Sequence, residues 1–257
     1  AIETRGYALW GRILIHQGHY GDAQEWLAMA IDLARQANDR PTWAQSTYDL
    51  GVTHYYQDDF GPAEECVAQA RALYAQVSDL KGEVSAGYME ATILKQSGQY
   101  QRALDQFDKS LAVARRGGWR QGEMQILATL GNTYLRLGDY EAARRCHEQA
   151  LAGCRAMNDR EGEAASLDVL GLAAADLGDL GRALQSYQQA LDIQRAIGYR
   201  RGQGYTLTHL GHVLLRRGQP AQAGEAFQQA LAIRRELSST SGAWIDDLAG
   251  LALSALA

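Results

Sequence analysis

Apolar residues along this chain recur at intervals of three and four, as at Leu127, Leu130, Tyr134 and Leu137. That is the period of a helix with one buried face, not the alternation of a strand. The pattern also has a longer metre. Shifted by forty residues the chain falls on itself, so that "LGNTYLRLGDYEAARRCHEQAL" at 130–151 meets "LGLAAADLGDLGRALQSYQQAL" at 170–191. Six units keep this register from residue 6 to residue 242. Each unit is expected to be one pair of helices, with boundaries near 2–41, 42–81, 82–121, 122–161, 162–201 and 202–241, followed by a terminal helix over 242–257. In the third unit the first helix is expected over about 82–97, with Gly98 as the left-handed residue that closes it, and the second over about 100–115.

Certain residue sizes hold fixed places in the repeat. Gly11, Gly51, Ala91, Gly131, Gly171 and Gly211 occupy one slot, and Gly18, Asp58, Gly98, Gly138, Gly178 and Gly218 follow seven residues later. Ala23, Ala63, Ala103, Ala143, Ala183 and Ala223 take another, and Ala30, Ala70, Ser110, Ala150, Ala190 and Ala230 a third. Small residues let two helices approach closely, and a large side chain must then fill the space left between them. Leu27, Val67, Phe107, His147, Tyr187 and Phe227 stand where that plug is needed. Tyr20, Phe60, Tyr100, Tyr140, Leu180 and Pro220 open the second helices. Arg35, Arg115, Arg155, Arg195 and Arg235 lie near the ends of these helices, where a cation meets the negative end of the helix dipole.

With small residues at Gly131, Ala143 and Ala150 and aromatics at Tyr134 and Tyr140, the unit resembles the tetratricopeptide repeat family. The forty-residue period is similar to the lengthened variant found in kinesin light chains, spindle-orientation adaptors and MalT-like bacterial signalling ATPases. The family's usual unit is shorter and often carries a proline after the second helix, which is missing here. The resemblance implies an all-α fold, a right-handed α-solenoid of stacked antiparallel helix pairs, with a concave groove lined by the first helix of each unit. It also implies a non-enzymatic protein–protein interaction module, the sensor or docking region of a bacterial signalling regulator.

Positions that stay constant from unit to unit serve stacking, so residues that vary on an exposed face are the candidates for function. In the fourth unit the implied groove stripe carries Gln125, Ala128, Asn132, Leu135 and Arg136, spaced by three and four on one helix face. Carried through the repeat, the stripe nominates Arg12, Tyr48, Tyr55, Tyr88, Lys95, Asn132, Arg136, His212 and Arg216 as partner-binding residues. Five basic residues stand on it against two acidic ones, Asp168 and Asp176. A peptide or protein segment with acidic groups and some apolar side chains is the expected partner. Each tyrosine has a second reading as packing between units. The basic clamp of the family's chaperone-tail binders has no counterpart, since Ala8 and Arg12 hold its places.

Composition narrows the rest. At 46% hydrophobic and 21% charged, the 257 residues are apolar enough to fold, and good helix formers abound. A net charge of −5 argues against nucleic acid. Cys66, Cys146 and Cys154 have no zinc-site spacing, which suits a reducing cytoplasmic setting. No membrane-spanning apolar run is present. Because residue 1 already sits in a helical pattern, the chain is read as one solenoid domain from a larger protein.

No cofactor or metal is expected: His16 with His19, and His209 with His212, lack a third ligand. Cys146 and His147 are adjacent on a helix and point about 100° apart, so no catalytic pair is assigned. His147 is read as core. Arg40, Arg120, Arg160 and Arg200 are expected to form ion pairs between units, and Asp58, Asp59 and Asp79 to be solvated turn charges. The end of the chain, "WIDDLAGLALSALA", begins a seventh first helix one residue out of register, at Leu248. Its apolar character supports an alternative role as a spacer or self-assembly element acting through terminal helices.

Overall fold

From residue 20 to residue 236 the chain is built of seventeen-residue helices separated by three-residue links. The computed structural model describes residues 2–237 and 243–256. The junction at 238–242 and residue 257, where the sixth unit was expected to give way to the terminal helix, lie outside the described residues. In order the helices are α1 (Ile2–Gln17), α2 (Tyr20–Gln36), α3 (Arg40–Tyr56), α4 (Phe60–Gln76), α5 (Leu80–Gln96), α6 (Tyr100–Arg116), α7 (Arg120–Arg136), α8 (Tyr140–Ala156), α9 (Arg160–Asp176), α10 (Leu180–Ala196), α11 (Arg200–Arg216), α12 (Pro220–Glu236) and α13 (Ala243–Leu256). No strand occurs among the described residues. The paired helices follow the expected metre, though the first helix of each pair starts about two residues earlier than its apolar pattern alone suggests. In the third unit, for example, it begins at Leu80.

At α3, α5 and α9 an aspartate caps the early start. The side chain of Asp79 accepts a hydrogen bond from the Gly82 amide (3.0 Å), and Asp39, Asp139, Asp159 and Asp179 cap α3, α8, α9 and α10 in the same way. Asp79 is therefore a helix cap and not merely a solvated charge. Asp58 has φ +58°, and Asp59 sits 3.5 Å from His54 without making a capping bond. Asp139→Ala should cost about 1 kcal/mol in urea unfolding, whereas Asp59→Ala should cost distinctly less.

One link residue is left-handed in each case: Gly18, Asn38, Asp58, Ser78, Gly98, Gly118, Gly138, Asn158, Gly178, Gly198 and Gly218. This single conformation turns each helix back beside its predecessor, and its amide bonds into the preceding turn, as Gly98 N–H does to the Lys95 carbonyl (3.2 Å).

The helices form two compact units, one through Ile126 and one from Leu127. In the first, each helix from α1 to α6 packs on the next, and the first helices also touch, α1 with α3 and α3 with α5. In the second, α8 to α13 pack in succession, with α9 against α11 and α11 against α13. This neighbour-on-neighbour stacking is that of an α-solenoid. The alanine and plug slots are buried as the sequence implies. All six alanines equivalent to Ala23 are fully buried, and the plugs Leu27, Val67, Phe107, Tyr187 and Phe227 show 0% exposure. A Cβ added at Gly11, Gly51, Gly131, Gly171 or Gly211 would strike Leu27, Val67, His147, Tyr187 or Phe227 at 2.5–2.7 Å, so the glycine makes the room that the plug fills.

The arginines near the ends of the second helices reach the following first helix. Arg115 Nε bonds Glu123 (2.7 Å), Arg155 Nε bonds Glu163 (2.8 Å), and Arg35 lies over the Trp43 ring (5.0 Å). Of the junction arginines, Arg200 pairs with Glu236 on α12, while Arg160 pairs with Glu163 on its own helix. In α13, Asp247 stands where the repeat places a core leucine. It is buried against Arg234 and accepts a hydrogen bond from the Thr208 hydroxyl (2.6 Å). The slip to Leu248 expected from the sequence does not occur: Asp247 keeps the core slot, Gly250 lies against the Phe227 ring, and Leu248 is half exposed.

Candidate functional site

In the first unit α1, α3 and α5 touch one another in turn, and two adjoining depressions open along them and the start of α7. One, of about 470 Å³, is lined by Arg12, Ile15, His16, Tyr20, Tyr48, Asp49, Val52, Tyr56 and Met89. The other, of about 180 Å³, is lined by Tyr48, Val84, Ser85, Tyr88, Met89, Trp119, Gly122, Gln125 and Ile126. Tyr48 and Met89 belong to both, so the two make one furrow with a more polar and a more apolar end.

The polar end is organised around a buried carboxylate. Gln45 donates to Asp49 Oδ1 (2.9 Å), and the Tyr74 hydroxyl donates to Gln45 (3.0 Å), which fixes the amide. Arg12 Nε lies 3.5 Å from Asp49 Oδ2, a charge contact too long to be a good hydrogen bond. Among the described residues no group donates a hydrogen bond to that oxygen. Burial pushes the Asp49 carboxyl up to about 6, with Arg12 and Gln45 only partly opposing the rise. Burial, aided by Asp49, raises the Tyr48 phenol to about 12, so it remains a neutral donor. Tyr20 and Tyr56 stack at one side with centroids 5.5 Å apart and planes 19° from parallel.

The apolar end depends on a break in the repeat. Asp39, Asp79 and Asp159 cap their helices, but the equivalent residue before α7 is Trp119. Its ring lies 2.4 Å from where a Gly122 Cβ would be, so the missing side chain lets the indole fold down and line the furrow. Tyr88 packs on the Phe107 plug with centroids 5.9 Å apart, which holds its ring in place.

Of the residues nominated from sequence, Arg12, Tyr48 and Tyr88 meet in this furrow. Tyr55 turns to Phe60 and Tyr56, with centroids 6.2 and 5.7 Å away, and joins the core cluster around Val67. Lys95 is half-buried in the last turn of α5. Asn132, Arg136, His212 and Arg216 belong to the second unit and are exposed on α7 and α11. His212 sits edge-on to Phe227 (5.1 Å), and partial burial lowers its proton affinity. Beside it His209 turns to Asp168 (3.1 Å), one of the two acidic residues of the stripe. Asp49, Met89, Tyr20 and Trp119 were missed. Asp49 and Trp119 could have been found as a carboxylate at a slot held elsewhere by Leu9, Met89, Thr129, Val169 and His209, and an indole at a capping slot.

Among the described residues no group of three or more His, Cys, Asp or Glu gathers as metal ligands. The three cysteines are free thiols, and no described helix is long and apolar enough to cross a membrane.

The tetratricopeptide repeat pattern matches residues 5–76, 88–156, 122–196 and 162–236, and the chain belongs to that family. Several solved structures share the fold. The apo form of RapI is 16% identical, with a TM-score of 0.73 over 99% of this chain and 97% of that one. BtubC from P. vanneervenii is 16% identical, with a TM-score of 0.76 over 86% of this chain and 93% of that one. A signal transduction ATPase with a tetratricopeptide repeat sensor from Pyrococcus horikoshii is 16% identical, with a TM-score of 0.75; 98% of this chain covers 41% of that protein. No curated protein matches the sequence closely enough to count as a relative.

Proposed function

We propose that this solenoid is a non-enzymatic, cytoplasmic docking module that takes up a peptide or an extended segment of a partner protein along the furrow of its first unit. The observation that supports this reading is the continuity of the furrow through Tyr48 and Met89, which offers a polar and an apolar subsite to one extended chain. Tyrosine and tryptophan give large contact area with few rotors to immobilise, as residues that dominate binding energy generally do. Lys95, Asn132, Arg136, His212 and Arg216 would engage further parts of a partner, with the cations favouring acidic groups. The Pyrococcus horikoshii structure is described as carrying a repeat of this kind as its sensor. Its resemblance in fold supports a sensor role in a signalling regulator here.

Peptides selected from a random library on the intact chain provide the test. Tyr48→Ala with Tyr88→Ala should weaken the selected peptides by about tenfold or more at unchanged helicity. Equal affinity for the variant would remove the furrow as the site. A second reading, self-assembly through the terminal helix, draws on Leu248 and Leu253, exposed at 51% and 55% on α13. Sedimentation across a concentration series separates the two: mass that rises with concentration, and ceases to do so in Leu248→Lys, Leu253→Lys, would favour assembly.

A further inference from the structure

The polar end of the furrow has a chemistry of its own. Asp49 is only 6% exposed, yet it belongs to the lining of a depression of about 470 Å³, and among the described residues none donates a hydrogen bond to one of its oxygens. A buried carboxylate left half-satisfied is costly, and nearby positive charge with donor hydrogens relieves that cost most directly. Around it stand three tyrosine rings, Tyr20, Tyr48 and Tyr56, whose faces attract cations.

Resting on the docking reading above, we propose that this depression is a recognition pocket for one basic side chain of the bound segment, an arginine or a lysine, held by Asp49 and the surrounding tyrosines. This sets the first subsite against the acidic preference drawn from the stripe as a whole. Arg12 is the apparent objection, since it brings positive charge to the same place. Its Nε stands 3.5 Å from Asp49 Oδ2 without bonding it, and its side chain is 50% exposed. Arg12 therefore acts as a loosely held internal stand-in for the ligand's cation, able to swing outward when a better-placed donor arrives. His16 is the other group in the pocket that can carry positive charge, and it is exposed to solvent. An incoming carboxylate would instead have to settle beside Asp49, and like charges in a half-buried site repel strongly.

The test uses the intact chain and three blocked amino acids as probes: Nα-acetylarginine amide, Nα-acetyllysine amide and Nα-acetylglutamate amide, each titrated at millimolar concentration and followed by NMR. The expected result is saturable shifts centred on Tyr48, Tyr56 and Asp49 for the basic probes and none for the glutamate probe. Asp49→Asn, which preserves side-chain shape, should weaken the basic probes by about tenfold. Arg12→Ala should strengthen them by removing the internal competitor. Tyr56→Ala, at a ring already 53% exposed, checks the aromatic contribution without risk to the core and should weaken the same probes.

Saturation by the glutamate probe, no saturable shift with either basic probe, or basic-probe binding unchanged in Asp49→Asn would overturn the assignment. Library peptides that need Tyr48 and Tyr88 but carry no basic residue would overturn this pocket and leave the docking reading standing. Loss of the Tyr48 and Tyr88 dependence with basic-probe binding intact would do the reverse.

Discussion

Phe227→Ala should cost about 3–5 kcal/mol in urea unfolding. The ring has 0% exposure, and hypothetical Cβ atoms at Gly211 and Gly250 would lie 2.6 and 2.4 Å from it. Two glycines on different helices have thus given up their side chains to accommodate one phenyl group. The cost of such a truncation is the lost burial plus whatever cavity its neighbours leave unfilled. Because contacts in a stacked repeat run only between neighbours, the damage should be local. Hydrogen exchange should accelerate in α11, α12 and α13 while α1 to α4 keep their protection. Acceleration spread evenly over all helices would contradict this account.

Acidification supplies the second large effect, through His147. This residue fills the plug slot taken elsewhere by Leu27, Val67, Phe107, Tyr187 and Phe227, and it is 2% exposed with neither ring nitrogen hydrogen-bonded. Burial pulls it down from 6.5 to about 4. Between those values the unfolded chain binds the proton and the folded chain does not, so stability is intact above pH 6.5 and falls as the pH drops towards 4. The loss across that window is about 3 kcal/mol. His147→Leu, which restores the residue found at position 27, should remove this loss on acidification, leaving the opposite contribution of Asp49, and raise stability at neutral pH by about 1 kcal/mol or more, since two unsatisfied polar atoms disappear. Asp49 works in the opposite sense. Its carboxyl is raised from 3.8 to about 6, so its contribution is present at low pH and is lost as the pH climbs through 6. Residue-resolved exchange in α7 and α8 for His147, and in α3 for Asp49, separates the two. An unchanged acid slope in His147→Leu would show that the buried imidazole is not its source.

These cases also show where the sequence was readable. Glycine, alanine and plug slots repeat every forty residues, so six aligned copies of the packing rule could be compared within one chain, and the buried residues followed directly. The capping aspartates were overlooked because the helices were delimited by apolar period, which says nothing about the first turn. The furrow was half legible. A stripe drawn from repeat geometry reached Arg12, Tyr48 and Tyr88, but it assigned Tyr55 to the groove when neighbouring rings hold it to the core. Asp49 stands one position off that stripe, and its importance lies in a hydrogen bond it lacks, which no spacing rule encodes. The Arg234–Asp247 pair was within reach, since a charge at a core leucine slot demands a partner and the next helix over offers one.

The repeated links between residues 37 and 219 carry a consequence for how such a chain can change over generations. There each helix is joined to the next through the same left-handed turn, so each gene segment encoding a pair is interchangeable in phase and in backbone geometry with its neighbours. Misaligned recombination between these segments would therefore delete or duplicate whole pairs without a frameshift and without a strained joint. The mismatches would be confined to the side chains at a single seam. Length, and with it the number of subsites offered to a partner, is the property this architecture can alter most cheaply. The identity of the residues within any one furrow must still be changed one codon at a time.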